Sequence, residues 1–292
     1  MKKYLLISLA LLSFATVSAQ VSTTEIYLVD IIKKDKKTTY SVPKNITNRD
    51  GYDNQPEFSA DGKKILYVSM PDTLQSDIFE YTIEDSTTKP MSETPESEYS
   101  PKYAPNGKTL AVVQVDGDKG QRLYQFTGDP QDLYNMAQGL DSVGYYTWLS
   151  DTVVALACLN NGLELYIYEV TTSQFVVLGK GIGRCLLREP LLGDLIYTRQ
   201  DGENVSLVRY EIATGESFSF CEGLPGVQDY VFNKDGKILA SKEGKLYGID
   251  PNGDKKWVEL ADFSKTIGTF YRIAVSPDGK QLALVSYQGK LP

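Results

Sequence analysis

The side chains of this sequence best suited to recognition chemistry recur at a near-constant interval. Asn54 and Gln55, Tyr99 and Ser100, Gly144 and Tyr145, Gly183 and Arg184, Gln228 and Asp229, and Tyr271 and Arg272 hold equivalent places, at spacings of 45, 45, 39, 45 and 43 residues. Arg184 and Arg272 are of a type that anchors protein interfaces and also hydrogen-bonds sugars. Tyr99, Tyr145 and Tyr271 offer faces that anchor protein interfaces and that stack on sugars. Asp229 supplies the carboxylate of the set, and it can equally serve only to neutralise the two arginines on a solvated rim. The candidate binding residues are therefore Asn54, Gln55, Tyr99, Tyr145, Arg184, Gln228, Asp229, Tyr271 and Arg272.

Catalytic chemistry is narrowed by a single count. The chain has 0 histidines, which removes Ser-His-Asp and Cys-His nucleophilic catalysis and imidazole ligation of zinc, manganese or iron. No G-x-S-x-G elbow is present either. Any remaining chemistry runs on carboxylates, Tyr, Lys or an oxygen-bound metal, and Asn54, Gln55 and Asp229 are thin support for such a metal beside two arginines. The stretch Asp116-Gly117-Asp118-Lys119-Gly120 has a D-x-D-x-G look but lacks the length and the bidentate glutamate of a calcium loop, so it is expected to be a hairpin turn. Cys158, Cys185 and Cys221 show no disulfide or metal spacing and are expected to be buried, inert thiols. No catalytic residue, metal or cofactor is assigned.

Positioning six equivalent residue pairs requires six equivalent elements. The run Pro56-Glu57-Phe58-Ser59-Ala60-Asp61-Gly62-Lys63-Lys64-Ile65-Leu66-Tyr67-Val68-Ser69 returns from Pro101, from Tyr230 and from Ile273, with weaker copies near Tyr146 and Cys185. Each copy reads as a strand, an Asp-Gly or Asn-Gly turn with positive φ, and a second strand rich in β-branched residues. A third strand follows at 77–81, 122–126, 164–168, 206–210 and 244–249, and a more polar fourth closes each unit, as at 174–178. A period of this length with four antiparallel strands per unit predicts an all-β, six-bladed β-propeller. The innermost strands begin at the mouth of its central channel, where the candidate residues fall.

The last copy has two strands before Pro292, while 25–30 and 38–42 look like a third and a fourth. Residues 20–47 are thus expected to complete the last blade, two strands from each end, so that no edge is left dangling. Most of the 20 tyrosines, such as Tyr67, Tyr81, Tyr124, Tyr166, Tyr197, Tyr210 and Tyr247, fall on strands and are expected to pack between blades. Phe58, Tyr103, Trp148, Phe232 and Val275 are expected there too.

The F-S-x-D-G-K-x-I/L signature resembles the WD40-like repeat of TolB-like propellers, with clear copies in four units. Two units depart from it. Leu149-Ser150-Asp151-Thr152 lacks the glycine, and the stretch 188–194 carries an extra residue. The resemblance implies the propeller fold and protein binding by one propeller face, but not the α/β domain that precedes the propeller in TolB itself. Similar repeats precede hydrolase domains in prolyl oligopeptidase-like enzymes or support pectin-fragment lysis at a histidine-rich metal site, and neither feature matches this sequence.

Residues 1–19 read as a signal peptide, with Lys2 and Lys3, an apolar run over 5–14 and a Val17-Ser18-Ala19 cleavage site. That run is too short to cross a bilayer, which needs about 20 residues. Removing the two lysines takes the formal charge from −8 to −10, which disfavours nucleic acid. The expectation is a single-domain, exported, non-catalytic binding scaffold, periplasmic or on the outer surface, which does not span the membrane. Its partner is expected to be an envelope protein. A glycan or other small ligand at the channel mouth is the alternative, and a metal-dependent lactonase or hydrolase stands behind both.

Overall fold

In the computed structural model, the described residues are 23–288 except 36, 72–74, 93, 128, 130–131 and 203. The signal peptide expected over 1–19 lies outside them.

Each strong repeat folds around the same hydrogen-bonded turn. The Ser59 hydroxyl donates to Asp61 Oδ1 at 2.6 Å and accepts the Lys64 amide at 3.0 Å, while Asp61 accepts the Lys63 amide at 3.0 Å. The copy at Ser276 repeats all three, with Asp278 at 2.7 Å and the amides of Gln281 and Lys280 at 2.9 and 3.0 Å. Where the sequence has Asn106 or Asn233 instead, one amide oxygen accepts two backbone N–H groups. In the unit with the extra residue, Glu189 takes this part and accepts the Leu191 amide at 3.0 Å. The signature is thus a cage that satisfies turn amides with short polar side chains, and the turn is longer than a two-residue hairpin.

These turns join the following strands. The chain begins with β1 (Thr24–Lys34), β2 (Lys37–Tyr40) and β3 (Lys44–Asn45). Next come β4 (Tyr52–Phe58), β5 (Lys64–Met70), β6 (Asp77–Thr82) and β7 (Thr87–Pro90). They are followed by β8 (Ser97–Tyr103), β9 (Leu110–Val115), β10 (Gln121–Phe126) and β11 (Tyr134–Asn135). A further set is β12 (Val143–Trp148), β13 (Val153–Leu159), β14 (Leu163–Glu169) and β15 (Gln174–Lys180). Then come β16 (Ile182–Arg188), β17 (Leu195–Asp201), β18 (Asn204–Glu211) and β19 (Glu216–Glu222). The chain continues through β20 (Tyr230–Phe232), β21 (Ile238–Lys242), β22 (Lys245–Ile249) and β23 (Val258–Asp262) to β24 (Phe270–Val275) and β25 (Gln281–Tyr287). Among the described residues there is no α-helix.

Four sheets stand alone, each of four antiparallel strands in chain order: β8–β11, β12–β15, β16–β19 and β20–β23. The other nine strands join into one sheet ordered β24-β25-β1-β4-β5-β6-β7, with β2 and β3 against β1. The repeat therefore appears as four separate blades and one larger sheet, where the sequence led to an expectation of six separate blades. The cause is local: a single parallel pair, Thr24 with Tyr52, links β1 to β4, and the Thr24 amide donates to the Gly51 carbonyl at 3.0 Å. The polar strand expected over 38–42 is shorter, ending at Tyr40 in β2, which pairs with Ile31–Lys34, while a separate β3 beyond it pairs with Tyr27 and Leu28. At the chain ends β1 pairs antiparallel with β25, from Thr24 opposite Tyr287 to Asp30 opposite Gln281.

The sheets follow one another around a ring, with apolar clusters between neighbours. Leu123, Tyr146, Trp148 and Tyr168 fill one such space, and Ile26, Ile65, Tyr81 and Val285 fill another. Phe58 and Trp148 are buried as expected, and Tyr103, Phe232 and Val275 are half-buried. Tyr67, Tyr81, Tyr166 and Tyr197 are buried, while Tyr124, Tyr210 and Tyr247 are half-buried.

Candidate functional site

The first strand of each repeat, β4, β8, β12, β16, β20 and β24, faces a common channel. A cavity of about 160 Å³ is lined by residues from all six, including Gln55, Ser100, Tyr145, Arg184, Asp229 and Arg272. Five of these strands are irregular at this point. Register shifts fall between Asn54 and Glu57, Tyr99 and Lys102, Val143 and Tyr145, Ile182 and Leu186, and Phe270 and Arg272. A bulge turns a side chain out of the regular alternation, and here it aims the repeat's polar residues inward. Gln55 and Ser100 both take a φ of 54° there.

The mouth residues form a connected polar network. Arg184 grips Asp229 with two donors, Nε–H to Oδ1 at 3.1 Å and Nη2–H to Oδ2. Arg272 Nη2 lies 3.6 Å from the same Asp229 Oδ1, and Arg272 Nη1 donates to Asn54 Oδ1 at 2.9 Å. Asn54 in turn donates through Nδ2 to the Tyr271 hydroxyl. On the other side, Gln55 and Ser100 exchange two hydrogen bonds, at 3.0 and 2.6 Å. Burial opposes the Arg184 charge and the Asp229 carboxylate more than offsets it, so the guanidinium pKa lies above its ordinary value. The side chains of Arg184, Asp229 and Arg272 keep 26%, 14% and 17% of their surface exposed, so the network is half-buried and reachable.

The nine candidate residues fall into three groups. Gln55, Tyr145, Arg184, Asp229 and Arg272 line the cavity. Asn54, 1% exposed, braces Arg272 and Tyr271 from behind, and Tyr99 packs against two of the apolar clusters. Gln228 and Tyr271 line a neighbouring cleft with Arg184 and Tyr287, where the Tyr271 and Tyr287 rings stack at 4.5 Å.

Sequence reasoning missed Tyr52, Glu57, Lys102 and Tyr287. Tyr52 stands within electrostatic reach of Arg272, Tyr99, Tyr145 and Arg184, and burial pushes its phenol pKa up. Glu57 and Lys102 form an ion pair at 3.4 Å on the channel wall. They occupy equivalent repeat positions, two residues beyond Gln55 and Ser100, and that offset was the available signal. Tyr287 lies in the second strand of its repeat, and the first-strand alignment gave no means of finding it.

Two other groups hold no site. The Asp116–Gly120 stretch is the turn between β9 and β10, and its carboxylates are occupied by Arg122, with Asp118 Oδ2 at 2.8 Å from Nη2. Cys158, Cys185 and Cys221 are buried free thiols, and burial pushes their pKa values up to about 12, 12 and 11.

No family model matches the chain, and no curated protein does. Solved structures do. A TolB-assigned protein from Agrobacterium tumefaciens is similar at a TM-score of 0.72 and 13% identity, over 93% of this chain and 100% of that one. TolB from Acinetobacter baumannii is similar at 0.56 and 16%, over 92% of this chain and 65% of that one. The fold is a β-propeller. A protein assigned as a gluconolactonase also matches, at a TM-score of 0.60 and 12% identity, over 84% of this chain and 91% of that one. This chain spans just under two thirds of the Acinetobacter TolB. At such identities the likeness concerns fold alone. Among the described residues no helix is long and apolar enough to cross a membrane.

Proposed function

We propose that this chain is an exported, non-catalytic scaffold, a six-bladed TolB-like propeller that binds another protein of the cell envelope through its channel-mouth face. The six-blade reading takes the nine-stranded sheet as two blades that touch at one parallel pair. Six first strands around one cavity support it, as do six apolar clusters between successive units.

The observation that carries the binding role is the Arg184–Asp229–Arg272–Asn54 network. It presents partly buried but reachable guanidinium groups beside tyrosines, on a ring that holds them in place before any partner arrives. Arg and Tyr are the side chains that dominate interface energetics, and a preset geometry lowers the ordering cost of binding. The non-catalytic reading draws on the lack of histidine. Among the described residues, no three His, Cys, Asp or Glu side chains gather as a metal-holding group.

The test is crosslinking capture in the envelope with the full chain and with an Arg184→Ala, Asp229→Ala, Arg272→Ala variant that keeps its fold. A partner held by the unmodified protein and lost by the variant is the expected result. The same partner held equally by both would move the interface off this face.

A second reading is sugar binding, favoured by the small cavity and by Tyr52 and Tyr145 beside the arginines. A glycan array separates the two, because micromolar binding of a sugar argues against a pure protein adaptor.

A further inference from the structure

We propose that the channel mouth is built to receive a single carboxylate, gripped by Arg272 and presented by an aspartate or glutamate side chain of the partner. This rests on the reading of the mouth as a protein-binding face and adds the chemistry of what enters it.

The first argument is charge. The cavity is lined by Lys102, Arg184 and Arg272 against Glu57 and Asp229, three positive groups to two negative. The lining therefore carries one surplus positive charge in a chain whose formal charge is −8. A single surplus charge suits a monoanion better than a doubly charged phosphate.

The second argument is unequal use of donors. Arg184 commits Nε and Nη2 to Asp229. Arg272 is different. Its Nη2 stands 3.6 Å from Asp229, longer than a hydrogen bond. Among the described residues it makes one hydrogen bond, through Nη1 to Asn54. A guanidinium has five N–H donors in a fixed fork, so most of those on Arg272 remain for a ligand. A carboxylate is the group that accepts two parallel donors from such a fork.

The third argument is pre-organisation. Asn54 holds Nη1, and Arg272 Cζ lies 5.9 Å from the centre of the Tyr271 ring, which itself stacks on Tyr287. The fork is therefore aimed before binding.

The overall acidity of the chain then limits the partner. A strongly acidic partner surface is disfavoured by the net negative charge of the chain, whereas a lone acidic residue in a neutral or basic stretch meets little repulsion. That is the recognition element we assign.

The experiment compares three probes by calorimetry on the full chain. They are a blocked Gly-Ser-Glu-Ser-Gly peptide, the same peptide with glutamine in place of glutamate, and propionate as a free monocarboxylate. The glutamate peptide is expected to bind on the order of tenfold tighter than the glutamine peptide, with the preference shrinking as salt rises. Arg272→Gln should bring the ratio to about one, and Arg272→Lys, which keeps the charge without the fork, should retain part of it. The peptide comparison needs no variant, so a misfolded Arg272→Gln protein leaves it intact. Equal binding of the two peptides overturns the proposal, as does binding of neither at millimolar concentration. Propionate binding as tightly as the glutamate peptide overturns the assignment to a protein partner. If a captured partner depends on the mouth yet acid and amide bind equally, the carboxylate inference fails alone. Acid preference without any mouth-dependent partner defeats the scaffold reading.

Discussion

Glu98 in β8 is 1% exposed, and its carboxylate accepts hydroxyl hydrogen bonds from Ser92 and Thr94. Burial pushes its pKa up from 4.5 to about 7, the two hydrogen bonds only partly opposing the shift, and Asp77 and Glu96 add to it. The folded state therefore holds this proton more tightly than the unfolded chain does. The stabilisation is complete below the unfolded value of 4.5 and declines as pH rises, levelling off above about 7. Glu98→Gln should remove that slope and raise stability at alkaline pH relative to the unmodified chain, by up to roughly 3 kcal/mol. Urea unfolding of both proteins at about pH 5 and about pH 8 reads the difference directly; a variant that tracks the wild type at both values would show that Glu98 does not titrate in this way. Nothing in Ser97-Glu98-Tyr99-Ser100 announces a buried acid, because a period-two strand pattern does not say which polar residue faces a neighbouring sheet. Arg184, Asp229 and Arg272 were legible for the opposite reason. Their equivalence follows from the repeat spacing, and a propeller places equivalent residues of its first strands at one mouth.

At the scale of the element, the turns divide into those that tolerate a side chain and those that do not. Gly62 takes a φ of 69°, and an added Cβ would meet nothing closer than 3.8 Å. Gly244 closes the β21–β22 hairpin, where Lys242 pairs with Lys245, with Glu243 and Gly244 at φ of 53° and 77°. A Cβ on Gly244 would lie 2.6 Å from the Gly268 carbonyl oxygen and 2.8 Å from Ser264 Cα. Backbone atoms cannot swing aside as a side chain does. Gly62→Ala should therefore cost about 1 kcal/mol from its left-handed φ alone, and Gly244→Ala roughly 3 kcal/mol, the crowding adding to the strain. Denaturant midpoints of the two variants test the contrast, and equal losses would refute it. The first turn was readable because Asp-Gly after a strand has few other meanings. The crowding at Gly244 comes from residues 20 or more positions along the chain, and a local pattern does not register it. The second short strand, β3, beyond the expected 38–42 was hidden for a similar reason, since β1 is long enough at 11 residues to pair with both β2 and β3.

At the scale of the whole molecule, closure of the ring rests on β1. It lies between β25 and β3 within its sheet, with Ile26 in the apolar cluster on one side and Val29 in the cluster on the other. Both side chains are 0% exposed, and Leu28 is 7% exposed. Each such aliphatic contributes about 1.5–3 kcal/mol through burial, and the seven paired positions from Thr24 to Asp30 along β25 would be left open as well. A whole domain is stable by only about 5–15 kcal/mol. Removing residues 20–47 should therefore abolish cooperative unfolding or yield a protein that associates through the exposed β25 edge. Thermal melting and size-exclusion chromatography of the truncated chain distinguish the outcomes. A soluble monomer that melts cooperatively near the temperature of the full chain would mean that the N-terminal strands are accessory, and that the ring is held shut by the contacts of β24 and β25 with β4. The repeat spacing pointed to closure because two strands at each end sum to one unit. It could not show that the closing strand also reaches across to β4 through Thr24, which is why nine strands join into one sheet while the other four sheets stand alone.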